Sequence, residues 1–195
     1  MGEQRDYHEK VSRLPGLPKP LDPNVKDIFD DSIARGSHIL NLHLVTAHAP
    51  ELAAARKPLI QAIRSAGKAE RIYREIAITR AAQMVECDYE VHHHKPFCVQ
   101  CGLSEEAVAA LDDWQANRNL FDAKQLALLG FVEEMCGNKG KVSDTVFDEY
   151  AKHFSAQEMV ELATCASTYY GGGMDKNAFN IMADPDYRKP APGKF

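Results

Sequence analysis

Between Glu75 and His94 the chain reads E-I-A-I-T-R-A-A-Q-M-V-E-C-D-Y-E-V-H-H-H, and this run constrains the topology more than any other stretch. Its apolar residues recur at helical spacing. Drawn as one helix, Glu75 and Cys87 would stand about 18 Å apart at about 1.5 Å per residue. Chemistry shared by its two ends therefore needs a chain reversal. Met84-Val85-Glu86, where one amphipathic pattern stops and another starts, is the place for it. The run predicts two antiparallel helices with a shared face, the second opened by Cys87.

On that second helix Cys87, Glu90, Val91 and His94 fall at i, i+3, i+4 and i+7 and form one stripe. Cys87 and His94 are two turns apart, about 10 Å along the axis, so neither touches the other. Glu90 precedes His94 by one turn and can pair with its imidazolium or orient the ring. Glu75, arriving from the first helix, completes a carboxylate-imidazole pair suited to proton transfer near neutral pH. A thiol at a helix N-terminus has its thiolate favoured, and the same place suits a substrate carboxylate. The alternative is a surface Glu-His pair beside a buried structural cysteine. Glu90 and His93 also spell E-x-x-H, but a carboxylate-bridged metal pair needs a second such motif, and Glu149 to His153 has the wrong spacing. No metal and no cofactor are expected. His92 and His93 point away from the His94 face, which leaves at least one of them solvated or at an interface.

The rest of the chain reads as all-α, with no convincing strand. Residues 13–23, R-L-P-G-L-P-K-P-L-D-P, deny regular hydrogen bonding and predict an extended arm of the kind that packs along a partner subunit. Helical pattern begins at Asn24 and continues, apolar, through His38 to His48, with His38, His43 and His48 as satisfied or surface side chains. Pro50 opens a helix that closes at Gly67, and another spans about 69–84. Pro96 should kink or end the helix just after the histidines. Ser104 caps a helix extending to about Asp113, Asp122 caps one over 123–136, and Ser143 and Ser155 cap the last two. The expected organisation is an arm over 1–23, a single helical domain over 24–183 and a proline-rich, exposed or partner-wrapping tail over 184–195.

A weak internal echo relates R-E-I-A-I-T-R-A-A-Q-M-V from Arg74 to V-E-L-A-T-C-A-S-T-Y-Y from Val160, with Glu161 at the place of Glu75. It suggests two related helical halves, only one of which keeps the cysteine and histidines. The C-x-x-C of Cys98 and Cys101 lacks a strand-to-helix setting and abuts a helix end, so it reads as structural. Cys136 and Cys165 read as core.

Composition then excludes several classes. A formal net charge of -5 with scattered basic residues gives no stripe for nucleic acid. No apolar run approaches membrane-spanning length, and Met1-Gly2 is not followed by the Ser or Thr of a myristoylation motif, because Asp6 stands there. An odd set of 5 cysteines without an apolar leader argues for the cytoplasm.

From about Arg13 to Asn180, and most strongly over Arg74 to Leu111, the sequence resembles the carboxymuconolactone decarboxylase superfamily, which includes the alkylhydroperoxidase D-like proteins. Their hydroperoxidase signature is a Glu, eleven residues, then C-x-x-C-x-x-x-H. Glu75, Cys87 and His94 match in register, and Glu90 stands where the second cysteine belongs, within C-D-Y-E. The resemblance implies stacked helical hairpins assembled as a dimer, trimer or hexamer, and a cofactor-free pocket near Glu75, Cys87 and His94 for a small-molecule substrate. One cysteine cannot close a local disulfide cycle. The expectation is therefore acid-base decarboxylation or isomerisation of an unsaturated lactone acid or dienoate from aromatic-ring breakdown. In that scheme His94 is acid and base, Glu75 its partner, Glu90 an orienter or second acid, and Cys87 an anion-side or nucleophilic group. Arg80 or Arg74 anchors a carboxylate, with Tyr89 at the substrate side. The alternatives are a thiol-dependent hydroperoxidase centred on Cys87 and a non-catalytic ligand-binding relative.

Overall fold

A computed structural model describes residues 5–34 and 36–184, and every regular element among them is helical. The proline-rich tail expected over 184–195 lies outside these residues beyond Asp184. The described residues form two compact units: one takes those up to Gln61 and those from Lys176, the other runs from Ala62 to Asp175.

In the first unit the prolines keep residues 13–22 out of helix, and α1 begins at Pro23 (Pro23–Ala34), where a missing N–H costs nothing. Val11 and Leu17 of the preceding segment bury against Val25 and Phe29 of α1 and against Leu44 and Val45 of α2 (Asn41–Thr46). The segment is tied to its own unit by Arg13 N–H donating to the Phe179 carbonyl at 2.8 Å and Met182 N–H to that of Val11 at 2.9 Å. The apolar pattern over 38–48 yields only the short α2, because His43 Nδ1 accepts from Leu40 N–H at 3.0 Å and starts the helix late. His48 Nε2 meets the Pro15 carbonyl at 3.0 Å, and His38 is exposed. α3 (Pro50–Ser65) opens at Pro50 as expected and contains no buried residue.

The second unit is built around α4 (Arg71–Met84), in which every residue from Arg74 to Ala82 is buried. A helix buried all round has no solvent face on which to place polar side chains, so each must find a partner inside. Ile76, Ala77 and Ala81 join the core with Leu103, Leu111, Leu128, Val132 and Leu162. Thr79 Oγ1 meets Cys98 Sγ at 3.3 Å, and Arg80 pairs with Glu133 at 2.6 Å.

α5 (Asp88–Gln100) follows the reversal, and it corrects the expectation that Pro96 could end the helix, which continues past it to Gln100. One backbone hydrogen bond is lost, but Phe97 and Cys98 in the next turn are 1% and 0% exposed, and their burial outweighs the local cost. The helix capped by Ser104 is also shorter than expected. α6 ends at Ala109 (Glu105–Ala109), and a 3-10 turn covers Leu111–Asp113, where the carbonyls of Leu111 and Asp112 turn to the Arg80 guanidinium at 3.4 Å. α7 (Ala123–Gly137) begins with a reciprocal Asp122–Gln125 cap, α8 (Asp144–His153) with Ser143, and α9 (Ala156–Phe179) follows Ser155. Phe131 of α7 stacks on Tyr150 of α8 with centroids 4.2 Å apart.

Candidate active site

The reversal that brings the two ends of the central run together takes its conformation from one residue. Glu86 adopts φ 53, Cys87 N–H donates to the Ala82 carbonyl at 2.9 Å, and Cys87 becomes the N-cap of α5. α9 can approach this corner only because residue 173 is glycine. A Cβ there would lie 2.5 Å from Val85 Cγ1 and 3.1 Å from the Cβ of Cys87. Cys87 is consequently fully buried.

With α4 and α5 antiparallel, Glu75 Oε2 lies 2.7 Å from His94 Nδ1, and both residues are buried. Glu90 Oε2 faces the other ring nitrogen, Nε2, at 3.5 Å. The two distances differ in kind. The first is a short charge-assisted hydrogen bond that sets ring orientation and tautomer, whereas the second is too long for one and leaves the proton position at Nε2 uncommitted. Burial by itself pushes the Glu75 carboxyl up, but the charge and hydrogen bond of His94, with Arg64 and Arg71, outweigh it and hold the carboxyl below its ordinary value. Glu75 is thus an ionised acceptor that keeps His94 Nδ1 as the donor.

Arg71, one turn before Glu75, reaches the carboxylate's other oxygen, Oε1, at 3.3 Å and lies over the Phe97 ring at 5.1 Å. Arg64 lies 5.7 Å from the same ring. These two arginines supply the cationic side. Arg74 and Arg80, expected as carboxylate anchors, are placed elsewhere. Arg74 sits 3.6 Å from Glu161 and donates to the Ile63 carbonyl at 3.3 Å. Arg80 is held by Glu133, which also accepts from Trp114 Nε1 at 3.3 Å. Polar groups on a buried helix take the partner nearest their own face, and a linear pattern does not show which face that is.

Tyr89 is buried and packs on His93 with ring centroids 4.2 Å apart, and His93 Nδ1 lies 2.6 Å from the Tyr89 carbonyl. His93 is thereby buried and turned from the His94 face, while His92 is exposed. Glu90 belongs with His94 and not with His93. Among the described residues no group of three or more His, Cys, Asp or Glu side chains could hold a metal ion.

The remaining thiols are poorly suited to redox work. Burial pushes Cys98 and Cys165 up to about 12 and Cys136 up to about 11, and it raises Cys101 as well. Glu161, aligned with Glu75 by the internal echo, faces no imidazole. It accepts from the N–H groups of Lys68 and Ala69 at 2.9 and 2.8 Å and so closes the entry to α4.

Three contributors to the site went unassigned in the sequence. Arg71 had a signal, its i, i+4 spacing to Glu75. Arg64 and Tyr169, whose ring lies edge-on to His94 with centroids 5.0 Å apart, had none, because they reach the site only through tertiary packing.

Residues 50–134 match the model of the carboxymuconolactone decarboxylase family. A protein translocase subunit SecA from Kocuria rhizophila is 35% identical over 78 residues, 40% of this chain but 8% of that protein, so the chain spans under a tenth of the relative's length. Among solved structures, the alkylhydroperoxidase AhpD core of an uncharacterized peroxidase-related protein from Ralstonia eutropha JMP134 superposes with a TM-score of 0.77 at 17% identity, covering 91% of this chain and 95% of that one. The debrominase Bmp8 does so with a TM-score of 0.72 at 17% identity, covering 87% and 90%. At such identity these two structures speak for the fold alone. Over residues 50–134, which carry Glu75, Cys87 and His94, the chain is similar to the carboxymuconolactone decarboxylase family, and the superpositions show that it has the alkylhydroperoxidase D-like fold.

Proposed function

We propose that the protein is a cofactor-independent enzyme that decarboxylates or isomerises a small unsaturated carboxylated substrate, a lactone acid or dienoate of the kind formed in aromatic-ring breakdown. The observation that carries this reading is the 2.7 Å contact of Glu75 with His94 Nδ1, buried, with Nε2 left uncommitted opposite Glu90. In isomerisation, His94 Nε2 takes a proton from carbon, the electron pair delocalises to a dienolate oxygen, and the same nitrogen returns the proton at a different carbon. In decarboxylation, the bond to the carboxylate breaks, carbon dioxide leaves, and the pair left on the conjugated system is quenched by the proton from His94. Glu75 stabilises the imidazolium in both, and Glu90 is the second acid. Arg71 and Arg64 balance the substrate's charge from the Phe97 side, and Tyr89 and Cys87 flank the same helix.

Mass-spectrometric product analysis on a panel of muconolactones and dienoates tests this. His94→Ala should lower turnover about 10²- to 10⁴-fold, the range for a lost general acid-base. Unchanged turnover would sink the assignment.

A second reading, a thiol-dependent hydroperoxidase, is favoured by Cys87 at the N-cap of α5 and by the likeness to a peroxidase-related structure. It requires a sulfenic acid at Cys87 after peroxide treatment, with an external thiol as reductant. An inert Cys87 removes it.

We also propose that copies of the chain associate. Leu52 and Leu59 of α3, and Val160 and Met174 of α9, each stand more than half exposed. A monomeric mass by light scattering would refute this.

A further inference from the structure

Glu75 stands between two partners and gives each a different oxygen. Oε2 lies 2.7 Å from His94 Nδ1, and Oε1 accepts from both Nε and Nη2 of Arg71 at 3.3 Å. The carboxylate is enclosed, with 3% of its side chain exposed, whereas Arg71 is 29% exposed and brings its cation in from the edge of the site. Local helix energetics do not explain an arginine here. Arg71 is the first residue of α4, where the helix dipole disfavours a cation, and a basic residue before an acid at i, i+4 is the less favourable order of such a pair. The placement is explained through the carboxylate. A guanidinium fork on Oε1 stops the group from turning and leaves Oε2 aimed at the imidazole. The charge matters too, since a carboxylate buried without a cation goes neutral and ceases to be a pure acceptor.

We propose that Arg71 is a positioning residue: by fixing and neutralising the Glu75 carboxylate it keeps the His94 ring neutral, with its proton on Nδ1 and Nε2 bare. The use made of a bare Nε2, proton exchange with substrate carbon, rests on the reading of His94 given above, whereas the protonation pattern itself does not. Two carboxylates attract protons to this one ring, Glu75 at Nδ1 and Glu90 of α5, 3.5 Å from Nε2. Arg71 cancels the charge of the first, so the ring need not become an imidazolium to balance it. The ring is also faced by Tyr169 of α9, edge-on at 5.0 Å, and by Phe97, over which Arg64 of α3 lies at 5.7 Å.

The test compares the full-length wild type with Arg71→Gln and Arg71→Lys, without substrate and at one mildly alkaline pH. Protonation is read from the ring-nitrogen NMR shifts of His94, and thermal unfolding is read alongside. The wild type should show a protonated Nδ1 and a bare Nε2. In Arg71→Gln the protonated fraction of Nε2 should rise about tenfold, the size of one lost charge interaction at this range. Arg71→Lys, which keeps the charge, should restore most of the wild-type pattern. Arg71→Met, which keeps an apolar stem against Phe97, is the second uncharged variant and should match Arg71→Gln. An unaltered Nε2 in either folded uncharged variant overturns the proposal, and so does a lysine variant no better than glutamine. A merely structural arginine would show lower stability in Arg71→Gln with both ring nitrogens as in the wild type. The underlying reading fails separately: turnover that survives His94→Ala sinks that reading and leaves an Arg71-dependent protonation standing, while an Arg71-independent ring sinks this proposal whatever the turnover.

Discussion

At the scale of residues, the site works by giving the two nitrogens of one imidazole different surroundings. Nδ1 is tied by a 2.7 Å bond to a buried carboxylate, and Nε2 faces a second carboxylate at 3.5 Å. This leaves a signature in stability. Because the folded Glu75 carboxyl sits below its ordinary value of 4.5, its contribution is fully present above the unfolded value and is lost as pH falls through the folded one. Urea midpoints at pH 7 and at about pH 3.5 should therefore show a larger acid loss for wild type than for Glu75→Gln. Equal losses would mean that the carboxylate is not held ionised by its neighbours. The thiols give an independent check. Cys101 and Cys136, partly exposed, should be labelled by a thiol reagent in the native protein before Cys98 and Cys165, which are buried and pushed up to about 12 for the thiol's ionisation.

At the scale of elements, α4 holds the site because its entry is locked from α9. Gly67, at φ +89, leaves room for the Glu161 carboxylate, and an added Cβ would lie 2.2 Å from it. Gly67→Ala combines backbone strain with displacement of that carboxylate and should cost about 1–3 kcal/mol in chemical denaturation. Glu161→Ala, which orphans two N–H groups and removes the ion pair of Arg74, should cost about 1–2 kcal/mol. Glu161 shows how far the sequence could be read. The reversal at 84–86, the cap at Asp122 and the stripe from Cys87 to His94 were legible because periodicity and caps are local. The role of Glu161 was not, since its ligands are backbone N–H groups 93 and 92 residues earlier. For the same reason Pro96 misled, because the burial of Phe97 and Cys98 is not written in the residues beside it. Arg71 was within reach through its spacing to Glu75, whereas Tyr169 was not.

At the scale of the whole molecule, the core of the second unit carries the geometry. Leu128 is fully buried in it, and Leu128→Ala should lower stability by about 2–5 kcal/mol. No helix among the described residues is long and apolar enough to cross a membrane. The proton transfer proposed for His94 is measurable in the product. Turnover of the lactone and dienoate panel in heavy water, with mass-spectrometric analysis, should place solvent deuterium on product carbon in the wild type. His94→Ala should abolish it, and Cys87→Ser should still incorporate deuterium. Undiminished turnover in His94→Ala, or turnover that survives loss of His94 but not of Cys87, would contradict the account.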